Sequence, residues 1–170
     1  MEIQLAIISD EKRKCLFIVN HVLSSDQFLC MNGDVKEVPL HSTGNQLVEA
    51  IREAMARGTK VVSENSRELY QKKSPIEEHL GVNNWSNVYN CRKLVVVAVE
   101  EDDIKISPTI KIASVGFQHL SPMITCMKKP EDVLNKLMGA IDRSTTYAVT
   151  GSRKATIGLP GRISWIAIKG

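Results

Sequence analysis

The stretch Val38–Thr59, VPLHSTGNQLVEAIREAMARGT, limits the possible folds more than any other, because the chain writes its pattern a second time. Val38-Pro39-Leu40 reads as the end of a strand and His41-Ser42-Thr43-Gly44 as a polar cap. Leu47, Val48, Ile51, Ala54 and Met55 then recur at i, i+1, i+4, i+7 and i+8, one face of a helix, with Glu49, Arg52, Glu53 and Arg57 elsewhere on the wheel. Gly58 stands where a C′ glycine would stop that helix. In the second copy Ile124-Thr125-Cys126 replaces the strand and Lys129-Pro130-Glu131-Asp132 the cap. Val133, Leu134, Leu137, Ala140 and Ile141 replace the apolar face, and Ala54/Ala140, Arg57/Arg143 and Thr59/Thr145 are identical pairs. Pro130 at the first helical position and two carboxylates in the first turn both favour a helix start. The plain alternative is that any two strand–helix units look alike. Two such copies are in either case too few for a solenoid.

At 170 residues the chain has the length of one domain, 1–170, able to bury roughly two thirds of its unfolded surface. Net charge is +3, from 22 Lys and Arg against 19 Asp and Glu, too mild to imply nucleic acid by itself. The longest apolar run, Leu94–Val99, is far short of a membrane span, and the acid at Glu2 argues against a signal peptide. Cys15, Cys30, Cys91 and Cys126 lack zinc-ligand spacing, and three of them sit among apolar neighbours. They read as small core residues of a cytoplasmic protein with no metal and no cofactor.

Glu2–Ile8 alternates as a strand does, Cys15–Val19 suits a central strand, and Gln27–Met31 and Val35–Leu40 follow. Asn32-Gly33-Asp34 predicts a tight hairpin turn between the last two. Ser63–Ser66 can cap a short helix, and Ser74-Pro75-Ile76-Glu77-Glu78 is a stronger start that Gly81 ends. VNNWSNVYN reads as a loop whose Trp85 and Tyr89 must pack or meet a partner. Lys93–Val99 is apolar on both faces and therefore central. Ile104–Ile106 continues the sheet to a stop at Pro108, and Lys111–Gln118 is expected to pair with Met123–Met127. In the tail, Gly151–Lys154 and Gly158–Arg162 are basic and loop-like, and Ile163–Ile168 is apolar enough for a strand docked on the sheet. The fold class expected is mixed α/β (α+β), a central, largely antiparallel sheet with two repeated strand–helix units at about 35–59 and 121–145.

Catalytic motifs are lacking: there is no GxSxG, phosphate-binding glycine loop or HExxH, and His21, His41, His79 and His119 are scattered. The sharpest electrostatic feature is the turn Glu100-Glu101-Asp102-Asp103, whose adjacent carboxylates repel one another. One reading is a docking patch for a basic partner, such as the phosphate-binding cleft of a nuclease; the other is a solvated hairpin tip. Glu77 and Glu78 add acids, and also serve their helix dipole.

The phrases VKEVPLHSTGNQLVEAIREAMARG and ITCMKKPEDVLNKLMGAIDRST, with Asp103-Ile104-Lys105-Ile106-Ser107-Pro108-Thr109 between them, resemble the immunity proteins of bacterial contact-dependent growth inhibition systems, the CdiI type. The resemblance covers roughly Val35–Thr145 and rests mostly on strand and helix patterning. It implies a cytoplasmic, non-catalytic inhibitor that binds a cognate toxin C-terminal domain, often a nuclease, with no direct nucleic-acid or membrane partner. It carries over no binding residue, since such pairs diverge at their contacts. The partner contacts expected from charge are Glu100, Glu101, Asp102 and Asp103 first, then Glu77 and Glu78. The alternative is a nucleic-acid- or anion-binding module using the basic tail residues Arg153, Lys154, Arg162 and Lys169.

Overall fold

The structure, a computed structural model, describes residues 3–99, 103–112, 116–127 and 129–145. Its frame is an antiparallel sheet built from β1 (Ile3–Asp10), β2 (Cys15–Asn20), β5 (Val35–Pro39), β7 (Lys93–Val99), β8 (Asp103–Ile112) and β10 (Ile124–Met127). They run in the order β10-β8-β7-β1-β2-β5, and β9 (Gly116–His119) pairs with the far part of β8. A smaller sheet of β4 (Leu29–Cys30), β3 (Val22–Leu23) and β6 (Lys60–Val61) sits beside it.

The central strands are apolar at successive positions because both faces of the sheet are covered. Leu5 and Ile7 of β1, Leu16 and Ile18 of β2, and Val95 and Val97 of β7 enter one core. The alternate residues Ala6, Ile8, Phe17, Val19 and Leu94 enter the other. Helices α1 (Gly44–Ala56) and α5 (Pro130–Arg143) close the first core with Leu47, Ile51, Leu137 and Ile141. Here α1 lies over β1, β2 and β5, and α5 over β7, β8 and β10. The two phrases of the sequence therefore end in helices that share one face, while their strands β5 and β10 stand at opposite edges. Their N-terminal ends touch: a Cβ on Gly44 would lie 2.5 Å from the Pro130 carbonyl oxygen.

The second core is closed by short helices, α3 (Pro75–Leu80) and α4 (Trp85–Val88), through Ile76, Leu80 and Val88. Each is set by its cap. Ser74 accepts from the Glu77 N–H while the Glu77 side chain accepts from the Ser74 N–H, and Gly81 ends α3 in the left-handed region at φ 69°. Asn84 caps α4, and α2 (Ser66–Gln71) carries the same reciprocal arrangement between Asn65 and Glu68. The loop expected around Trp85 thus contains a helical turn.

Three local expectations fail for identifiable reasons. Asn32-Gly33-Asp34 closes no hairpin, since β4 pairs with β3 and β5 with β2. Gly33 is needed instead for close approach: its N–H donates to Asn20 O at 2.9 Å, and an added Cβ would lie 2.5 Å from that oxygen. Pro108 does not stop β8, which runs on to Ile112. The Pro108 carbonyl accepts from Leu120 N at 2.7 Å, so the proline nitrogen faces that same edge, where the neighbouring strand is broken between β9 and β10. Finally, β9 and β10 do not pair with one another; both pair with β8. From Thr109↔His119 to Ile106↔Ile124 one strand advances three residues and the other five, and the excess is taken up around Leu120–Met123.

Candidate functional site

The acidic stretch falls between β7 and β8 in the sequence. The ladder of these two strands runs to Val99↔Ile104, and Ile3 pairs with Val99 at the same end of the sheet, where β1 begins. Glu100, Glu101 and Asp102 lie outside the described residues, while Asp103 opens β8 opposite Met127 and is half-buried. Glu78 is on the exposed side of α3. Glu77 is only 4% exposed, and its carboxylate accepts from Ser74 N at 2.8 Å and Ser74 Oγ at 2.7 Å. Of that pair, Glu78 is the one a partner can reach.

An aromatic cleft, which the sequence marked only through Trp85 and Tyr89, opens on the second face. It encloses about 250 Å³ between Met31, Tyr70, Trp85 and Tyr89. Trp85 stacks on Tyr89 with centroids 5.7 Å apart and meets Tyr70 edge-on at 6.3 Å. Tyr89 packs edge-on against Phe117 at 4.4 Å, and Lys111 Nζ sits 5.4 Å from its ring centroid. Burial pushes the Tyr89 hydroxyl well above the ordinary phenol range, so it stays neutral. Tyr70 remains 49% exposed, and Trp85 Nε1 is buried without an acceptor among the described residues.

A polar cleft of about 310 Å³ opens at the other end of the sheet, around Asp10, Arg13, Asn87, Cys91 and Arg92. Arg92 Nε donates to Asp10 Oδ2 at 2.6 Å, and Arg92 Nη1 donates to the Asn87 and Val88 carbonyls. Burial by itself raises the Asp10 carboxyl, but the Arg13 N–H and the Arg92 guanidinium outweigh it and hold it below the usual range. These charges are spent on one another, which is a structural use.

Both edges of the large sheet lack a partner strand among the described residues. On β5, Lys36 bonds Glu53 of α1, and Glu37 accepts from His79 Nε2 of α3 at 2.8 Å, so the edge strand is fastened to both layers. On β10, Lys136 Nζ donates to Thr125 O at 2.9 Å.

No catalytic constellation forms among the described residues, and no group of His, Cys, Asp and Glu there could hold a metal ion. His41 is exposed, His79 is engaged by Glu37, and burial lowers His119. His21 is fully buried; its Nδ1–H donates to Gln4 O at 3.0 Å, and burial drives its pKa down to about 4. Cys15 and Cys30 are buried free thiols, and burial pushes Cys15 up to about 11, so neither is a nucleophile. No described helix is long and apolar enough to cross a membrane.

No protein-family model matches the chain, and no curated protein matches it in sequence. Solved structures share its fold. A protein of unknown function from Neisseria meningitidis superposes with a TM-score of 0.64 at 14% identity, over 85% of this chain and 96% of that one. A chain of a CdiA-CT/CdiI toxin and immunity complex from Yersinia pseudotuberculosis superposes with a TM-score of 0.59 at 16% identity, over 85% of this chain and 98% of that one.

Proposed function

We propose that the chain is an immunity protein that binds the toxin domain of a contact-dependent growth inhibition system and neutralises it in the cytoplasm. The observation that carries this reading is the fold likeness, which takes in 98% of a chain from a toxin and immunity complex. The described surface is compatible with an inhibitor. It offers clefts, charged loops and open strand edges for contact, and holds no assembled nucleophile, base or metal cluster among its described residues. A standard interface of about 1,600 Å² is enough for tight binding when shape and charge match.

The toxin partner we favour is a nuclease. A nuclease site is built to receive phosphates, and the carboxylates of Glu100, Glu101, Asp102 and Asp103 can stand in for them, with Glu78 as a second acidic contact. The edges of β5 and β10, which have no partner strand among the described residues, offer a second mode, in which a toxin strand extends the sheet.

The test is a growth assay. The toxin segment encoded beside this gene is induced, and this protein is supplied in trans. Rescue by this protein but not by an unrelated immunity protein is the expected result. Undiminished toxicity, or equal rescue by the unrelated protein, overturns the reading.

A further inference from the structure

We propose that the polar cleft between the β1–β2 turn and the α4–β7 connection binds a phosphate group, carried by a small phosphate monoester or free in solution. The site stands apart from the immunity reading and does not rest on it.

Charge is the first observation. The cleft encloses about 310 Å³, the small end of the roughly 300–1,000 Å³ typical of small-molecule sites. Its walls include Lys12, Arg13 and Arg92, with Asp10 as the one carboxylate among them. Asp10 is fully used: its Oδ2 accepts from Arg92 Nε at 2.6 Å and its Oδ1 from the Arg13 backbone N–H at 3.0 Å. Neither the Lys12 ammonium nor the Arg13 guanidinium is paired with a carboxylate among the described residues. Two positive charges are thus left unanswered around one opening, where they repel each other and favour an anion between them.

The donors are also held in place. The Arg92 side chain is only 13% exposed and is fixed by Asp10 through Nε and by the Asn87 and Val88 carbonyls through Nη1. Its Nη2 has no acceptor among the described residues. Arg13 Nη2 donates to Leu80 O at 3.1 Å, which leaves Nε and Nη1 equally without an acceptor there. Guanidinium forks anchored in this way meet an oxyanion with little further ordering to lose.

The size of the charge selects the oxyanion. A phosphate monoester carries about −1.5 to −2 at pH 7 and three strong acceptor oxygens, which matches an excess of two positive charges. A carboxylate brings one charge and two oxygens. A polynucleotide needs cations ranged along a groove, whereas these are gathered around one cleft. A bound phosphate would bridge the β1–β2 turn, which supplies Lys12 and Arg13, to the segment that supplies Asn87 and Arg92.

The experiment uses the full-length, isotope-labelled protein at low ionic strength and needs no toxin. Inorganic phosphate and, separately, ribose 5-phosphate are titrated while amide resonances are followed. Saturable shifts confined to residues 10–14 and 87–93 are expected with at least one of them. Tighter binding of ribose 5-phosphate assigns the site to a phosphorylated metabolite and comparable binding assigns it to free phosphate; either upholds the proposal. Acetate at the same ionic strength should bind at least about tenfold more weakly. Arg13→Gln should weaken phosphate binding about tenfold, and Lys12→Gln, which removes no side-chain contact seen among the described residues, several-fold. Lys136→Gln, on α5, should leave it unchanged. The proposal is overturned by absence of saturation, by shifts scattered over lysines elsewhere, by acetate binding as tightly as phosphate, or by unchanged affinity in Lys12→Gln and Arg13→Gln.

Discussion

Arg92 and Asp10, 82 residues apart, join the start of β7 to the end of β1 through a 2.6 Å hydrogen-bonded ion pair whose side chains are only 13% and 4% exposed. The guanidinium also ties down the end of α4 through the Asn87 and Val88 carbonyls. One side chain thus fastens the sheet to the helical layer that carries Trp85.

Breaking that pair should be costly. Arg92→Ala leaves the Asp10 carboxylate buried without its cation, and the expected loss is about 3 kcal/mol in urea unfolding at pH 7. Adding Asp10→Asn should recover part of the loss, because the orphaned charge is gone. The Asp10 carboxyl is depressed in the folded state, so its contribution is present above about pH 4 and disappears as pH falls through the folded value. Strictly additive effects of the two substitutions would show that the pair does not act as a unit.

His21 makes stability depend on pH in a higher window. Its folded pKa of about 4 lies below the ordinary 6.5, so the unfolded chain takes up the proton first. The stability it supports is whole above pH 6.5 and falls as pH drops toward 4, by roughly 3 kcal/mol in total. Urea midpoints measured from pH 7 to pH 4 should show that slope, and His21→Gln should flatten it. A slope unchanged in His21→Gln would assign it to carboxylates elsewhere.

The two glycines Gly33 and Gly81 should fail for different reasons. Gly33→Ala drives a Cβ into backbone at Asn20 and is expected to cost about 2 kcal/mol, as overpacking does. At Gly81 nothing lies within 4 Å of an added Cβ, and only the left-handed φ of 69° opposes it, so Gly81→Ala should cost about 1 kcal/mol. Gly81→Asn, which tolerates that region, should cost less than Gly81→Ala; no such rescue is expected at Gly33.

Charge reversal of the turn tests the interface we favour. Replacing Glu100, Glu101, Asp102 and Asp103 by lysine should weaken toxin binding by roughly tenfold or more, mostly through association rate, and steepen no unfolding transition. Calorimetry on the purified complex gives the affinity and thermal unfolding of the free protein gives the control. Unchanged affinity would remove the turn from the interface while leaving the inhibitor reading intact.

Much of this architecture was legible in local sequence. The apolar stripe of α1, the run Lys93–Val99 and the Ser74–Glu77 cap beside Gly81 each express a rule that acts within a few residues, and all three stand where expected. The Glu77 carboxylate shows the limit of that reading. Its charge suggested a surface contact, yet the fold buries it in the cap that its own spacing from Ser74 creates.

By itself the sequence determined the fold class, the central place of β2 and β7, and the boundaries of the main helices, because periodicity and capping are local. Only the tertiary structure decided which strands neighbour which, why Gly33 is a glycine, and why Pro108 can sit inside β8. It also decided that Tyr70, Trp85, Tyr89 and Met31 form one cleft. Those outcomes depend on contacts between residues far apart in the chain, and no pattern within a single segment encodes who will lie across from it.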